Sequence, residues 1–262
     1  MTFQVLVATM KQDNFSLIKK MNLNSDAIIV NQQDKFKLDK IKYKNHKIAF
    51  YTLPEKGLSL SRNTALDRAT ADICLLADDD IVYESNYKQL IINEFIKNPK
   101  ADIIIFNLKS TNINRPEFQI KKNIQRIRFY NCLRYGSFRI AFRLNKIKKR
   151  NIHFDLLFGA GSKYSHGEEG IFLSECLKKG LRIYGSNKII GKVNHEVSTW
   201  FNGYDEKFFI DRGAMFTVLN TKLSYVYILQ FAIRKYNLYC DNYNLIEAIK
   251  LMLEGRKIYE NY

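Results

Sequence analysis

Apolar residues fall into short blocks along the first half of the chain, separated by polar stretches. Residues 3–9 (FQVLVAT) read as a buried strand by residue type and length. Residues 27–30, 48–53, 73–77 and 103–108 repeat the pattern. Between these blocks the apolar positions take helical spacing. A short helix runs to Met21 behind Asn14 and Ser16, a second is capped by Ser61 and runs to about Ala69, and a third covers 87–98. Pro54 and Gly57 break the pattern ahead of the second helix. Short strands alternating with helices predict an α/β fold with a mainly parallel, Rossmann-like sheet covered on both faces. Ligands of such sheets bind beyond the carboxyl ends of the strands, which points at Thr9, Asn31 and Asp78 to Asp80.

The second half is less regular. Residues 152–158 look extended, and Gly159-Ala160-Gly161 opens a loop. A helix over 167–179 stops at Gly180, and strands follow near 181–184 and 189–193. Two helices with apolar faces are expected over 222–236 and 244–258. Residues 119–150 have mixed apolar spacing and predict no single element.

Composition bounds the class. The 262 residues are 46% hydrophobic and 26% charged with three prolines, which suits one compact unit with a sizeable core. No apolar run approaches the about 18–20 residues that span a bilayer. The first ten residues lack a basic leader region and a cleavage site, so they read as a strand and not as a signal peptide. Cys74, Cys132, Cys176 and Cys240 match no zinc or redox spacing and are expected as reduced thiols in a cytoplasmic protein.

Charge changes the picture more. The formal net charge is +16, and residues 119–150 hold eleven Lys and Arg without one acid. Phe129, Tyr130, Tyr135, Phe138 and Phe142 are interleaved there. Such a segment suits an anionic membrane surface or the phosphates of a nucleic acid or lipid diphosphate, and equally a solvated basic face.

Two acidic motifs carry candidate chemistry. Asp78-Asp79-Asp80 follows an apolar strand, and three adjacent carboxylates repel one another unless a cation or solvent compensates. Magnesium or manganese takes such oxygen ligands and could bridge a diphosphate; a solvated acidic turn is the plainer alternative. Glu168 and Glu169 stand behind a glycine-rich loop at a helix start. Ser165-x-x-Glu168 fits a capping box, which leaves Glu169 as the better general base, although acids at helix starts are common for structural reasons alone. His195 follows a strand and is either a further metal ligand or a structural histidine. Arg62 stands at a helix start, where backbone amides favour an anion, or is an ordinary surface arginine.

Taken in order, these motifs resemble the family-2 glycosyltransferases. Residues 56–63 (KGLSLSRN) and 71–81 (ADICLLADDDI) resemble that family's "GLSxARN" helix start and its aspartate motif. Residues 159–162 (GAGS), 167–169 (GEE) and 172–173 resemble its acceptor region, where "GED" opens a helix, and residues 194–216 resemble the later part of the same domain. The resemblance implies an A-type glycosyltransferase fold over 1–216, with a nucleotide-sugar-binding half at about 1–110 and an acceptor half at 111–216. Residues 217–262 form a C-terminal helical extension. It further implies inversion by direct displacement, with a uridine diphosphate sugar as donor and a hydroxyl of a capsule or lipopolysaccharide glycan as acceptor.

Carried over by residue, Arg62, Asp78 and Asp79 would meet the donor, joined by Thr9 and Asn31 from their place at the strand ends. Asp80 and His195 would hold manganese or magnesium. Glu169, with Glu168 beside it, would take the acceptor proton. The chain departs from the family's pattern at Ala77, where an aspartate is common, at Glu169, where aspartate is usual, and at Asn31 and Gln32, where an acid is often found.

A nucleic-acid-binding protein would leave both acidic motifs unexplained, so nucleic acid is not an expected partner. A nucleotidyltransferase would place a glycine-rich loop after the first strand, and residues 8–12 (ATMKQ) hold no glycine. The basic segment would then rest on the inner face of the plasma membrane, near a lipid-diphosphate-linked acceptor.

Overall fold

Strand β1 (Phe3–Met10) shows how the core is divided. Val5 and Val7 point into one apolar cluster and Leu6 into another, because successive side chains leave opposite faces of a strand. The computed structural model describes residues 1–112, 118–193 and 203–262. After β1 come α1 (Ser16–Lys20), β2 (Asp26–Gln32), β3 (Lys37–Tyr43), β4 (His46–Leu53), α2 (Leu58–Arg68), β5 (Ile73–Asp78), β6 (Ile81–Tyr83), α3 (Tyr87–Lys97) and β7 (Ile103–Ser110). The second half adds β8 (Ile124–Ile127), β9 (Ile140–Arg143), α4 (Leu144–Lys148), α5 (Glu168–Lys178), β10 (Ile183–Val193), α6 (Glu206–Leu219), α7 (Ser224–Lys235) and α8 (Leu245–Glu260).

The described strands form one mixed sheet in the order β3-β4-β2-β1-β5-β9-β7-β10-β6, with β8 paired to β10. Strands β4, β2, β1 and β5 run parallel, so Thr9, Asn31 and Asp78 gather at one end. Helices cover both faces, as the alternation of elements predicts.

Several expectations need correction. Helix α2 starts three residues ahead of Ser61, directly after Gly57, and Ser61 is buried inside it. Residues 152–158 form no strand; Phe158 makes an isolated bridge to Tyr164. The two strands near 181–184 and 189–193 are one long β10, whose register slips twice against β7. Strand β3 alternates exposed and half-buried positions with Lys37, Lys40 and Lys42, the pattern of a charged edge that resists further pairing.

The basic segment is only in part a solvated face: Lys121, Lys122, Arg128, Arg134 and Lys149 are exposed, and other cations are engaged. Arg126 donates to the Ile183 carbonyl, Arg139 to Phe118, Arg143 to Ala101 and Phe95, Lys148 to Asp67 and Ala69, and Arg150 to Lys179. Five of its eleven cations therefore pin loops and strand ends through backbone oxygens.

The C-terminal helices bury a third cluster with Phe158 and Tyr164. Helices α6 and α8 touch backbone to backbone: a Cβ on Gly213 would stand 1.9 Å from the Met252 carbonyl oxygen, and one on Gly255 2.0 Å from that of Ile210. Alanine is the better helix former by about 1 kcal/mol, yet a rigid backbone cannot yield to the added methyl without parting the helices. Gly213→Ala is expected to lower the unfolding free energy by about 2–3 kcal/mol, read as a fall in urea midpoint at unchanged slope.

Candidate active site

The first half of the site is built by the polar face of α2. Ser59, Arg62 and Asn63 are buried, unusual for such residues, because the loop before α5 covers them. Ser59 Oγ donates to the Phe158 carbonyl at 2.6 Å. The Asn63 amide exchanges two bonds with the backbone of Phe154, at 2.9 and 2.8 Å. Gly57 and Gly161, both in left-handed backbone, let the two loops pass closely, and Leu58 N–H donates to the Ala160 carbonyl at 2.9 Å. An added Cβ would meet Ser162 Oγ at 3.3 Å from Gly57 and the Gly57 Cα at 3.4 Å from Gly161, so it is the positive φ at both positions that disfavours a side chain.

Arg62 is the hub of this arrangement, not a surface arginine. Its guanidinium, 2% exposed, meets Asp78 Oδ1 at 2.9 Å, Glu168 Oε1 at 3.1 Å and Glu169 Oε1 at 3.8 Å. Phe154 lies beneath it, 5.4 Å to the ring centroid. Burial opposes its charge, but Asp78, Glu169 and Glu168 outweigh burial and hold the guanidinium more firmly protonated than usual. One cation thus ties the end of β5 to the start of α5.

Burial pushes the Glu168 carboxyl well up, Glu169 adds to the push, and Arg62 offsets part of it. The side chain of Glu168 is 6% exposed and that of Glu169 is 23% exposed, so Glu169 is the carboxylate a ligand can reach. The capping box read from Ser165 and Glu168 does not form. Helix α5 begins after Gly167 with no side-chain cap, and Ser165 instead gives both its N–H and its hydroxyl to Asp211 Oδ2, at 2.7 and 2.6 Å.

At the carboxyl ends of the strands, Thr9 Oγ1 donates to Asp79 Oδ2 at 2.5 Å. Asn31 is buried and its amide clamps the backbone of Gln12, at 3.0 Å in both directions. It shapes the floor of the site, and its side chain is already engaged. Burial, then Asp78 and Asp79, push the Asp80 carboxyl up to about 7. Its Oδ1 is buried without a hydrogen-bond partner.

Such an orphaned hard oxygen beside two carboxylates fits a divalent cation. Among the described residues no group of three or more His, Cys, Asp or Glu side chains forms a ready cage. His195 lies outside the described residues; Val193, the last described before it, pairs with Ile81 beside Asp80.

Sequence reasoning missed Ser59, Asn63, Phe154 and Asp211. Asn63 stood inside a motif already singled out, whereas Asp211 carried no local signal because its partner is 46 residues away.

The mixed sheet with helices on both faces, and a carboxylate–arginine junction at its strand ends, define an α/β protein with one candidate active site. The chain belongs to glycosyl transferase family 2, whose model matches residues 16–166. Solved structures agree in fold. S. aureus TarS 1–349 in complex with UDP-GlcNAc superimposes with a TM-score of 0.68 at 16% identity, covering 99% of this chain and 80% of that one. The same protein in complex with UDP gives a TM-score of 0.65 at 16% identity over 97% and 81%. No curated protein matches the chain by sequence. Among the described residues, no helix is long and apolar enough to cross a membrane.

Proposed function

We propose that this glycosyltransferase moves a sugar from a uridine diphosphate donor to a hydroxyl of a growing capsule or lipopolysaccharide glycan, inverting the anomeric carbon by direct displacement. The observation that carries the reading is Arg62, which holds Asp78 on one side and the Glu168–Glu169 pair on the other within a single guanidinium. Donor-end and acceptor-end carboxylates are thereby kept in one place before any ligand arrives, the preorganisation that displacement chemistry needs. The complexes of TarS with UDP-GlcNAc and UDP support the choice of carrier.

Asp78 and Asp79 meet the ribose and diphosphate, with Thr9 orienting Asp79. Asp80, joined by His195, would hold manganese or magnesium. A bound divalent cation supplies charge neutralisation at the leaving diphosphate. Glu169 accepts the proton of the acceptor hydroxyl as that oxygen attacks from the opposite face. Glu168 stays fixed by Arg62 and keeps the first turn of α5 in register. The net charge of +16 supports a setting at the inner face of the plasma membrane, with a lipid-diphosphate-linked acceptor.

Calorimetric titration with uridine diphosphate tests the donor site. Binding is expected to tighten on addition of manganese and to lose that dependence in Asp80→Ala. Metal-independent binding equal in both proteins would remove Asp80 from the metal site.

A further inference from the structure

Helix α7 carries an apolar ridge on its solvent side. Ser224, Ile228 and Ala232 are buried, whereas Tyr225, Val226, Leu229 and Ile233 are 52–59% exposed. At 3.6 residues per turn those four occupy one stripe about 100° wide. Single exposed leucines are ordinary, but a continuous ridge along one helix marks an interaction surface.

Charge decides what covers it. Lys222, Arg234 and Lys235 flank the ridge, and no acid occurs between Asp211 and Asp241. A second copy would bring another +16 against the same cations. A bilayer with anionic headgroups answers both features at once, its acyl boundary taking the ridge and its headgroups the cations.

We propose that α7 lies in the headgroup layer of an anionic membrane and docks the enzyme there. This rests on the reading of a membrane-held acceptor, and it moves the contact from residues 119–150, where five cations already serve backbone oxygens, to α7. The inner side of the helix supports the assignment. Phe231 packs on Phe208 and Phe216, with centroids 6.1 and 5.9 Å apart, and Phe208 stacks on His166 at 5.0 Å. One helix layer therefore separates the docking ridge from the start of α5, so a docked enzyme faces the membrane close to its acceptor carboxylates.

Vesicle flotation tests the proposal. The protein is expected to float with phosphatidylglycerol-containing vesicles and much less with pure phosphatidylcholine. Leu229→Glu with Ile233→Glu should lower partitioning on the order of tenfold or more. Arg234→Gln with Lys235→Gln should lower it less and weaken the salt dependence. Unchanged circular dichroism and unchanged uridine diphosphate binding in all variants would keep a docking defect distinct from a failed donor site. Equal flotation of parent and double-glutamate protein would overturn the proposal, as would no vesicle binding at all. A dimer in sedimentation that the double-glutamate change dissolves would also overturn it, and would assign the ridge to a second copy.

Discussion

Glutamine in place of Glu169 is expected to leave the protein folded and able to bind uridine diphosphate while lowering turnover by about 10²–10⁴-fold, the range set by loss of a general base. The two carboxylates at the start of α5 differ in what they can do. Glu168 is sealed against Arg62, while Glu169 keeps nearly a quarter of its side chain open. The substitution preserves shape and removes the negative charge together with the capacity to take a proton. Its contact with Arg62 is long at 3.8 Å, and Asp78 and Glu168 still satisfy the guanidinium. Stability should therefore change little. Steady-state transfer with a single donor, measured beside calorimetric donor binding, separates the two effects. Full turnover in a folded Glu169→Gln protein would remove the assignment.

Arg62→Met is expected to cost about 3–5 kcal/mol, the range for removing one partner from a buried ion pair. Methionine keeps much of the aliphatic stem and the packing on Phe154. It leaves Glu168 buried without its cation, so ionising that carboxyl costs more. The loss has a pH signature. Burial and Glu169 already raise the Glu168 carboxyl, and without Arg62 it rises further. A carboxyl raised on folding favours the protonated folded state, so the variant loses stability as pH climbs from the ordinary carboxylate range through the raised value. The parent carboxyl, raised to about 8, loses the same contribution up to that value, so the deficit should be alike near about pH 5 and about pH 7 and widen as pH climbs above about 8. Urea midpoints at about pH 7 and about pH 9.5 provide the check, and parallel midpoints would mean that packing, not charge, is what Arg62 supplies.

Much of the sheet was legible because its central strands are buried on both faces. Residues 27–30 and 73–77 are nearly continuous apolar runs, and both lie inside observed strands. Strand β3 escaped because only Ile41 and Tyr43 pack against the core, and lysines fill the rest. The basic segment escaped for a different reason: a guanidinium that binds a distant carbonyl leaves no periodic trace.

In the site, local rules misled where distant partners won. Ser61 follows the composition of a cap, but Gly57 sets the start of α2. Ser165 and Glu168 have capping-box spacing, yet Asp211 takes the serine and Arg62, 106 residues away, takes the glutamate. The aspartate triplet and the Glu pair were visible from their strand and helix starts. Their union through Arg62 was not, because no spacing within either motif contains it.

The buried polar face of α2 also bears on how the chain folds as it leaves the ribosome. Ser59, Asn63 and Arg62 find their partners at Phe158, Phe154 and Glu168, some 90 to 106 residues later. At about 5–20 residues per second the nascent sheet spends several seconds with this helix unsealed. The early strands can pair in that interval, but α2 acquires its final surroundings only after the glycine loop has emerged. Asp78 and the Glu168–Glu169 pair are therefore brought together in one late event of biosynthesis.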